Sequence, residues 1–239
     1  MKIISFCLFG SHPKYLVGAI KNADLAASIF PDWYCRFYCS TDVGSKTLSE
    51  LATRPNVELF LNPTGFKNSW DLMLARFMPI NEDDVEVMIS RDCDSRLSLR
   101  ERYAVDAWLD SKYMFHTMHD HPWHTVPILG GMFGIKKKLF SELGYHAVEW
   151  AKNHEPKWQV DQDFLKEVVW PIVKHDNLNH DQFFTHLFGG VPFPKNREGL
   201  EFVGQVYDAN DQPNQEYEYV LYKYLKMHGE IVNDSPLFG

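Results

Sequence analysis

The chain has 239 residues, 45% of them hydrophobic and 15% aromatic, with a formal net charge of −8. That size suits one large α/β domain, or a domain with a small appendage, around a sizeable core. The acidic balance argues against a nucleic-acid binder, whose affinity rests on Lys and Arg neutralising phosphates. Cys7, Cys35, Cys39 and Cys93 lie in or beside expected strands without framework spacing. They read as reduced core residues of a cytoplasmic protein, and no second Cys/His pair completes a zinc site with Cys35 and Cys39.

Ile3 to Phe9 is a short apolar run behind a single Lys, which reads as a buried first strand rather than a signal peptide. Tyr15 to Phe30 carries an apolar stripe at helical spacing, stopped by Pro31. Tyr34 to Ser40 is an aromatic strand, a short helix covers Lys46 to Ala52, and Val57 to Leu61 is a third strand closed by Asn62-Pro63. From Ser69 to Met78, Trp70, Met73, Leu74 and Phe77 repeat as a helix that Pro79 should end. Strand Val85 to Ile89 follows, then a capping box, Ser98 with Glu101, that opens a helix to about Asp110. Tyr113 to Met118 and Met132 to Ile135 read as strands, and Asp161 to Val169 as a helix. No stretch approaches the ~20 apolar residues of a membrane-spanning helix.

Strands alternating with helices predict a Rossmann-like, mostly parallel sheet with helices on both faces. Ligands in such sheets bind outside the carboxyl ends of the strands, where Phe9-Gly10, Asp42 and the Asp92/Asp94 pair all fall. After Val203 the composition turns polar. Asp208 to Gln215 reads as a linker, and Tyr217 to Met227 as an amphipathic helix packing back on the domain.

The chemistry concentrates in Ser90-Arg91-Asp92-Cys93-Asp94-Ser95-Arg96, directly after the apolar strand. In an extended chain, residues i and i+2 point the same way, so Asp92 and Asp94 would present two carboxylates to one volume. Two hard oxygen ligands suit Mn²⁺ or Mg²⁺, which take one or two carboxylates together with phosphate oxygens. The competing reading is a pair of turn and cap residues ahead of the Ser98 helix.

The order of these marks resembles the GT-A nucleotide-sugar-dependent glycosyltransferases: strand, Arg76-bearing helix, Asp-x-Asp, a strand after Gly130-Gly131, then Asp161-Gln162-Asp163. Small bacterial and viral glycosyltransferase-like proteins are similar in Ser90 to Arg96, Asp120-His121-Pro122, Pro127 to Met132 and His180-Asp181, and the glycogenin-like retaining transferases more distantly. The resemblance spans Met1 to Val206, which implies a GT-A domain over 1–206 and a linker plus helix over 207–239. It further implies a metal-dependent transferase moving a sugar from a UDP- or GDP-linked donor to a glycan or other hydroxyl acceptor.

On that resemblance Asp94 coordinates the metal, and Asp92 holds the metal, a metal-bound water or the donor ribose. Arg76 meets a phosphate or donor hydroxyls; Arg91 and Arg96 flank the aspartates and neutralise them. Gly130 and Gly131 admit the sugar, unless they only form a bulge. Asp161 and Asp163 either accept from sugar hydroxyls or are helix N-terminal carboxylates. The His119 to His124 loop would line an acceptor pocket, with Asp120 or a His there as general base. Lys195 and Arg197 reach the diphosphate or lie on a solvated loop. The C-terminal His-x-x-Gly-x-x-Lys-Pro-Trp motif of glycogenin-like enzymes is absent, and His180 is its best substitute as third ligand. Departure of the leaving group before front-face attack would retain the anomeric configuration, whereas a base among Asp120, Asp161 and Asp163 would invert it. Two other classes stay open: a nucleotidyltransferase making sugar nucleotides, although Phe9 to Pro13 has a single glycine, and a non-catalytic sugar- or nucleotide-binding module.

Overall fold

The computed structural model describes residues 1–66 and 69–230. Its frame is a seven-stranded sheet in the order β3-β2-β1-β4-β6-β5-β7. The strands are β1 (Lys2–Leu8), β2 (Tyr34–Cys39), β3 (Val57–Leu61), β4 (Val87–Ser90), β5 (Phe115–His119), β6 (Phe133–Lys136) and β7 (Asn177–Asp181). All pairings are parallel except the two that β6 makes, with β4 and with β5. This is the mostly parallel α/β class that the alternation of elements predicts.

Strand periodicity divides the core into two layers. Ile3 and Met88 join the cluster on one face, with Phe77, Phe133 and Phe164. Their neighbours Ile4 and Ile89 join the other, with Phe6, Phe37 and Trp108. Successive side chains on a strand point to opposite faces, so β1 and β4, buried on both, read as continuous apolar runs. On the second face lies α1 (Pro13–Ile29), with Pro13 at its start and the His12 side chain accepting from Lys14 N. Its buried stripe is small, with Gly18, Ala19, Ala23 and Ala26, so the helix sits close to the sheet. α2 (Ser45–Ala52) follows β2.

The expected helix from Ser69 to Met78 divides into a short α3 (Ser69–Leu72) and a 3-10 helix, Ala75–Asn81, that runs through Pro79. Proline has no N–H for an α-helical ladder and clashes with the preceding turn. The tighter i→i+3 bonding, already present in Leu74 N to Asp71 O and Phe77 N to Leu74 O, carries the chain past it. α4 (Leu99–Leu109) starts at Ser98, which accepts from Glu101 N at 3.2 Å. Only half of the capping box forms, because the Glu101 carboxylate turns away to Arg91.

Strand β5 begins at Phe115, two residues later than Tyr113, and the helix expected over Asp161 to Val169 is α6 (Val160–Phe164) followed by a π-helical turn, Leu165–Val169. Elements that the sequence pattern did not predict include α5 (Leu143–Asn153) and strand β7. β7 reads Asn-Leu-Asn-His-Asp, with no apolar alternation. It is buried beside β5 because its polar side chains find partners there: His180 with His116 at 2.8 Å and Asn179 with Thr117 at 3.1 Å. Short helices α7 (Trp170–Val173) and α8 (Thr185–Phe188) flank it.

The last described helix, α9 (Gln215–Met227), is capped by Asn214 and packs Leu221, Tyr222 and Leu225 against Phe183 and Phe202. The segment leading to it is tied to the aspartate loop, with Tyr207 N donating to Asp94 O at 2.8 Å. Residues 231–239 lie outside the described residues. Among the described residues no helix is long and apolar enough to cross a membrane.

Candidate active site

At the carboxyl ends of β1 and β4 a cleft of about 430 Å³ opens, lined by Phe9, Arg76, Asp92, Asp94, Asp161 and Trp158 among others. β4 delivers the aspartates. Its backbone follows β1, with Ser5 opposite Ser90, and Arg91 N still donates to Ser5 O at 3.0 Å. The chain then turns instead of continuing extended: Ser95 N and Oγ both donate to Asp92 O, at 3.4 and 2.9 Å. Both carboxylates line the same cleft, but a turn brings them there rather than strand alternation.

Helix α1 braces this turn from behind. Asn22, fully buried, donates through Nδ2 to Ser95 O at 2.8 Å and accepts from Leu97 N at 3.0 Å. Gly18 lies so close to the Cys93 carbonyl that a Cβ there would collide with backbone. Asn22 is a positioning residue that sequence reading missed, because a polar residue on a helical stripe carries no signal of what it meets 73 residues on.

Two cations hold the carboxylates. Arg76, 3% exposed, bridges Asp92 through Nη1 and Asp161 through Nη2, the latter at 2.5 Å. Burial works against its charge, but Asp92 and Asp161 hold its pKa above the ordinary arginine value. Lys14, from the first turn of α1, donates to Asp94 Oδ2 at 2.9 Å and lies over the Tyr15 ring. Burial and then the Asp92 charge raise the Asp94 pKa above its usual value, against the pull of Lys14. Cys7, on the cleft floor, is pushed up to about 12 by burial, which makes its thiol inert at neutral pH.

Gly130 and Gly131 face this ion network. A Cβ on Gly131 would meet the Asp92 carboxylate, and one on Gly130 would meet Arg76 Nη2 and, at 2.6 Å, Asp161 Oδ2. The Gln162 amide, oriented to satisfy both its groups, donates to Ile128 O at 3.0 Å and accepts from Gly130 N at 2.7 Å. Asp42 accepts from Gly10 N at 3.0 Å and from Ser40, tying the ends of β1 and β2 together, and these bonds lower its pKa. Phe9 lines the cleft beside them and meets Trp70 edge-on.

The structure does not bring the remaining sequence-derived residues to this cluster. Asp120 is fully buried between Arg100, with bonds of 2.8 Å to each oxygen, and Arg197 at 2.6 Å, and it also accepts from Val203 N. A carboxylate so enclosed is a structural anchor for the 195–203 segment. Lys195 pairs with Glu198 on the surface. Asp163 pairs with Lys157, also at the surface. His180 is buried on β7, against the His116 and Phe193 rings, and is drawn down to about 4 by burial and then by Arg100. Arg91 serves Glu101 and two backbone carbonyls, and Arg96 serves Asp211 and the carbonyls of Cys93 and Ser95; neither pairs with the aspartates.

Among the described residues no group of three or more His, Cys, Asp or Glu side chains gathers to hold a metal ion. The donor set at the cleft is therefore a carboxylate pair with an open side. That fits Mn²⁺ or Mg²⁺ completed by phosphate oxygens and water, and does not fit an ion caged by protein alone.

No family model matches the chain, and no curated protein matches it. Solved structures similar to it include a glycosyltransferase involved in the glycosylation of the major capsid of PBCV-1. That one is 17% identical over 75% of this chain and 81% of its own, with a TM-score of 0.49. The galactosyltransferase LgtC, in complex with donor and acceptor sugar analogues, is 12% identical over 97% and 100%, with a TM-score of 0.48. The 4-diphosphocytidyl-2C-methyl-D-erythritol synthase of Anaerococcus prevotii is 12% identical over 78% and 89%, with a TM-score of 0.47. Likeness at this level assigns neither a family nor a reaction, so the residues of the cleft must carry the functional reading.

Proposed function

We propose that this chain is a GT-A-type glycosyltransferase that moves a sugar from a nucleoside diphosphate donor to an acceptor hydroxyl, with the donor diphosphate held at Asp92 and Asp94. The observation that carries the reading is the meeting of these carboxylates with Arg76 and Asp161 in one cleft at the carboxyl ends of parallel strands, with Lys14 paired to Asp94. Asp94, with Asp92 beside it, would hold a divalent cation, whose chemistry there is Lewis-acid neutralisation of the departing diphosphate.

This chain's residues supply the rest. Arg76 ties Asp92 to Asp161 through its two terminal nitrogens, as a rigid guanidinium fork does well. Asp161 accepts from Arg76 and is among the residues lining the cleft, where its carboxylate would suit a sugar hydroxyl. The end of β1, with Phe9 and the Gly10–Asp42 tie, offers an apolar and polar edge for the nucleoside. The three carboxylates considered as a base all stand in ion pairs: Asp120 with Arg100 and Arg197, Asp161 with Arg76, Asp163 with Lys157. That favours a reaction led by leaving-group departure, with retention. The loop after β1 has Gly10 as its one glycine, which disfavours nucleotidyl transfer through a glycine-rich phosphate loop.

Thermal-shift measurements with UDP-, GDP- and TDP-sugars, each with and without Mn²⁺, test the reading. Stabilisation by one donor that needs the cation is expected, since a ligand that binds only the folded state raises its stability. Equal stabilisation without the cation, or none from any nucleotide sugar, would refute it.

A further inference from the structure

The two cations paired with the cleft carboxylates differ in how firmly they are held. Arg76 is fully enclosed, with Nη1 and Nη2 on two carboxylates, and cannot leave without stranding charge. Lys14 has one carboxylate partner, Asp94 Oδ2 at 2.9 Å, and its side chain keeps 27% of its surface exposed. Lys14 also borders a separate hollow of about 490 Å³ formed with Val206, Tyr207 and the 212–216 segment. A flexible four-carbon stem carrying a compact, well-hydrated charge is suited to moving between anions, which a planar guanidinium is not.

Asp94 is where the proposed cation would bind, and Lys14 already bonds to one of its oxygens. The Lys14–Asp94 pair is partly buried, with side chains 27% and 16% exposed, and a divalent cation on Asp94 would repel an ammonium held on the same carboxylate. The two occupancies therefore compete, and the loosely held ammonium is the one that can yield. Resting on the proposed donor-diphosphate site, we infer that Lys14 is an exchangeable counter-ion: it neutralises Asp94 until a divalent cation takes the carboxylate, and its ammonium then passes to the donor diphosphate. Neutrality is kept at both stages, because the charge that leaves Asp94 is delivered to the phosphates that arrive. No bond is made or broken in the exchange.

The inference requires that removing the ammonium have opposite effects on the two ligands. Mn²⁺ alone, followed by electron paramagnetic resonance, would be titrated into wild type, Lys14→Met and Lys14→Arg. Inorganic pyrophosphate at saturating Mn²⁺ would then be titrated into each by calorimetry. For Lys14→Met the expected result is about tenfold tighter Mn²⁺ binding and about tenfold weaker pyrophosphate binding, the size of one charge-assisted contact. Lys14→Arg keeps a competing cation and should leave Mn²⁺ affinity within about twofold of wild type. Lys14→Gln would replace Lys14→Met should the methionine disturb folding. Unchanged or weaker Mn²⁺ binding in the neutral variants would overturn the exchange while leaving the metal site itself standing. Unchanged pyrophosphate binding would overturn the transfer to the diphosphate. Absence of Mn²⁺ binding from wild type and variants alike would overturn both the exchange and the metal-dependent reading of the site.

Discussion

Arg76 and Asp161 stand 85 residues apart in the chain and meet at 2.5 Å on the wall of the cleft, both almost fully buried. The same guanidinium reaches Asp92, so one side chain couples the end of β4 to the start of α6. Breaking a buried pair by removing one partner leaves an uncompensated charge, at about 3–5 kcal/mol. Arg76→Met should destabilise the protein by that order in urea unfolding. Arg76→Lys should recover less than half, because an ammonium cannot span both carboxylates as a planar fork does.

Asn22 should matter to the site without touching a ligand. Asn22→Ala leaves Leu97 N and Ser95 O without their side-chain partner in a buried contact, at about 1–3 kcal/mol for each orphaned group. The expected outcome is a lower denaturation midpoint together with weaker Mn²⁺ binding, as the Asp92–Ser95 turn loses its brace. A fall in stability with Mn²⁺ binding unchanged would show that the turn holds its shape alone.

Asp120 and Asp163 can be separated from each other and from any role as a base. Asp120→Asn should cost about 3 kcal/mol or more in stability, since Arg100 and Arg197 lose their buried partner. Asp163→Asn breaks one surface pair with Lys157 and should change stability by less than about 1 kcal/mol. Neither Asp163→Asn nor an Asp120 variant assayed while still folded should lose turnover to the extent an obligatory base would. Abolished turnover in folded Asp163→Asn would restore the inverting mechanism.

Acid should unfold the protein through its buried histidines. His180 is drawn down to about 4 by burial and by Arg100, and burial also lowers His116 and His124 well below the ordinary histidine value of 6.5. A group whose neutral form is favoured in the fold binds fewer protons there than in the unfolded chain. Stability is then full above about pH 6.5 and falls as pH drops toward 4. His180 alone accounts for about 3 kcal/mol over that window. The midpoint in urea should fall steadily between pH 7 and 4.5, and the slope should flatten in the double variant His116→Phe, His180→Leu.

The parts of this protein most legible in its sequence are those encoded by local pattern. The continuous apolar runs of β1 and β4 announce strands buried on both faces, and the sharp change from Ile89 to Asp92 marks where a strand meets the cleft. Arg76 was legible only through the order of motifs around it, since its own helix is partly 3-10 and its periodicity is broken. β7 escaped because its burial depends on side-chain partners across the sheet rather than on hydrophobicity. Lys14 and Asn22 escaped for a related reason: what they do depends on where α1 lands against a loop 80 and 73 residues away. Asp120 and His180 looked chemical because of their residue types, and only the fold reveals the arginines and the ring that occupy them.

The central claim is that Asp94 anchors a metal-assisted departure of a nucleoside diphosphate. The most direct measurement is release of that diphosphate from UDP- and GDP-linked sugars, with and without Mn²⁺, by wild type and by folded Asp94→Asn. Release by wild type should require the cation and fall by about 100-fold or more in the variant, the scale of losing one principal electrostatic contact to the leaving group. Release that proceeds equally without Mn²⁺, or that Asp94→Asn leaves intact, would contradict it.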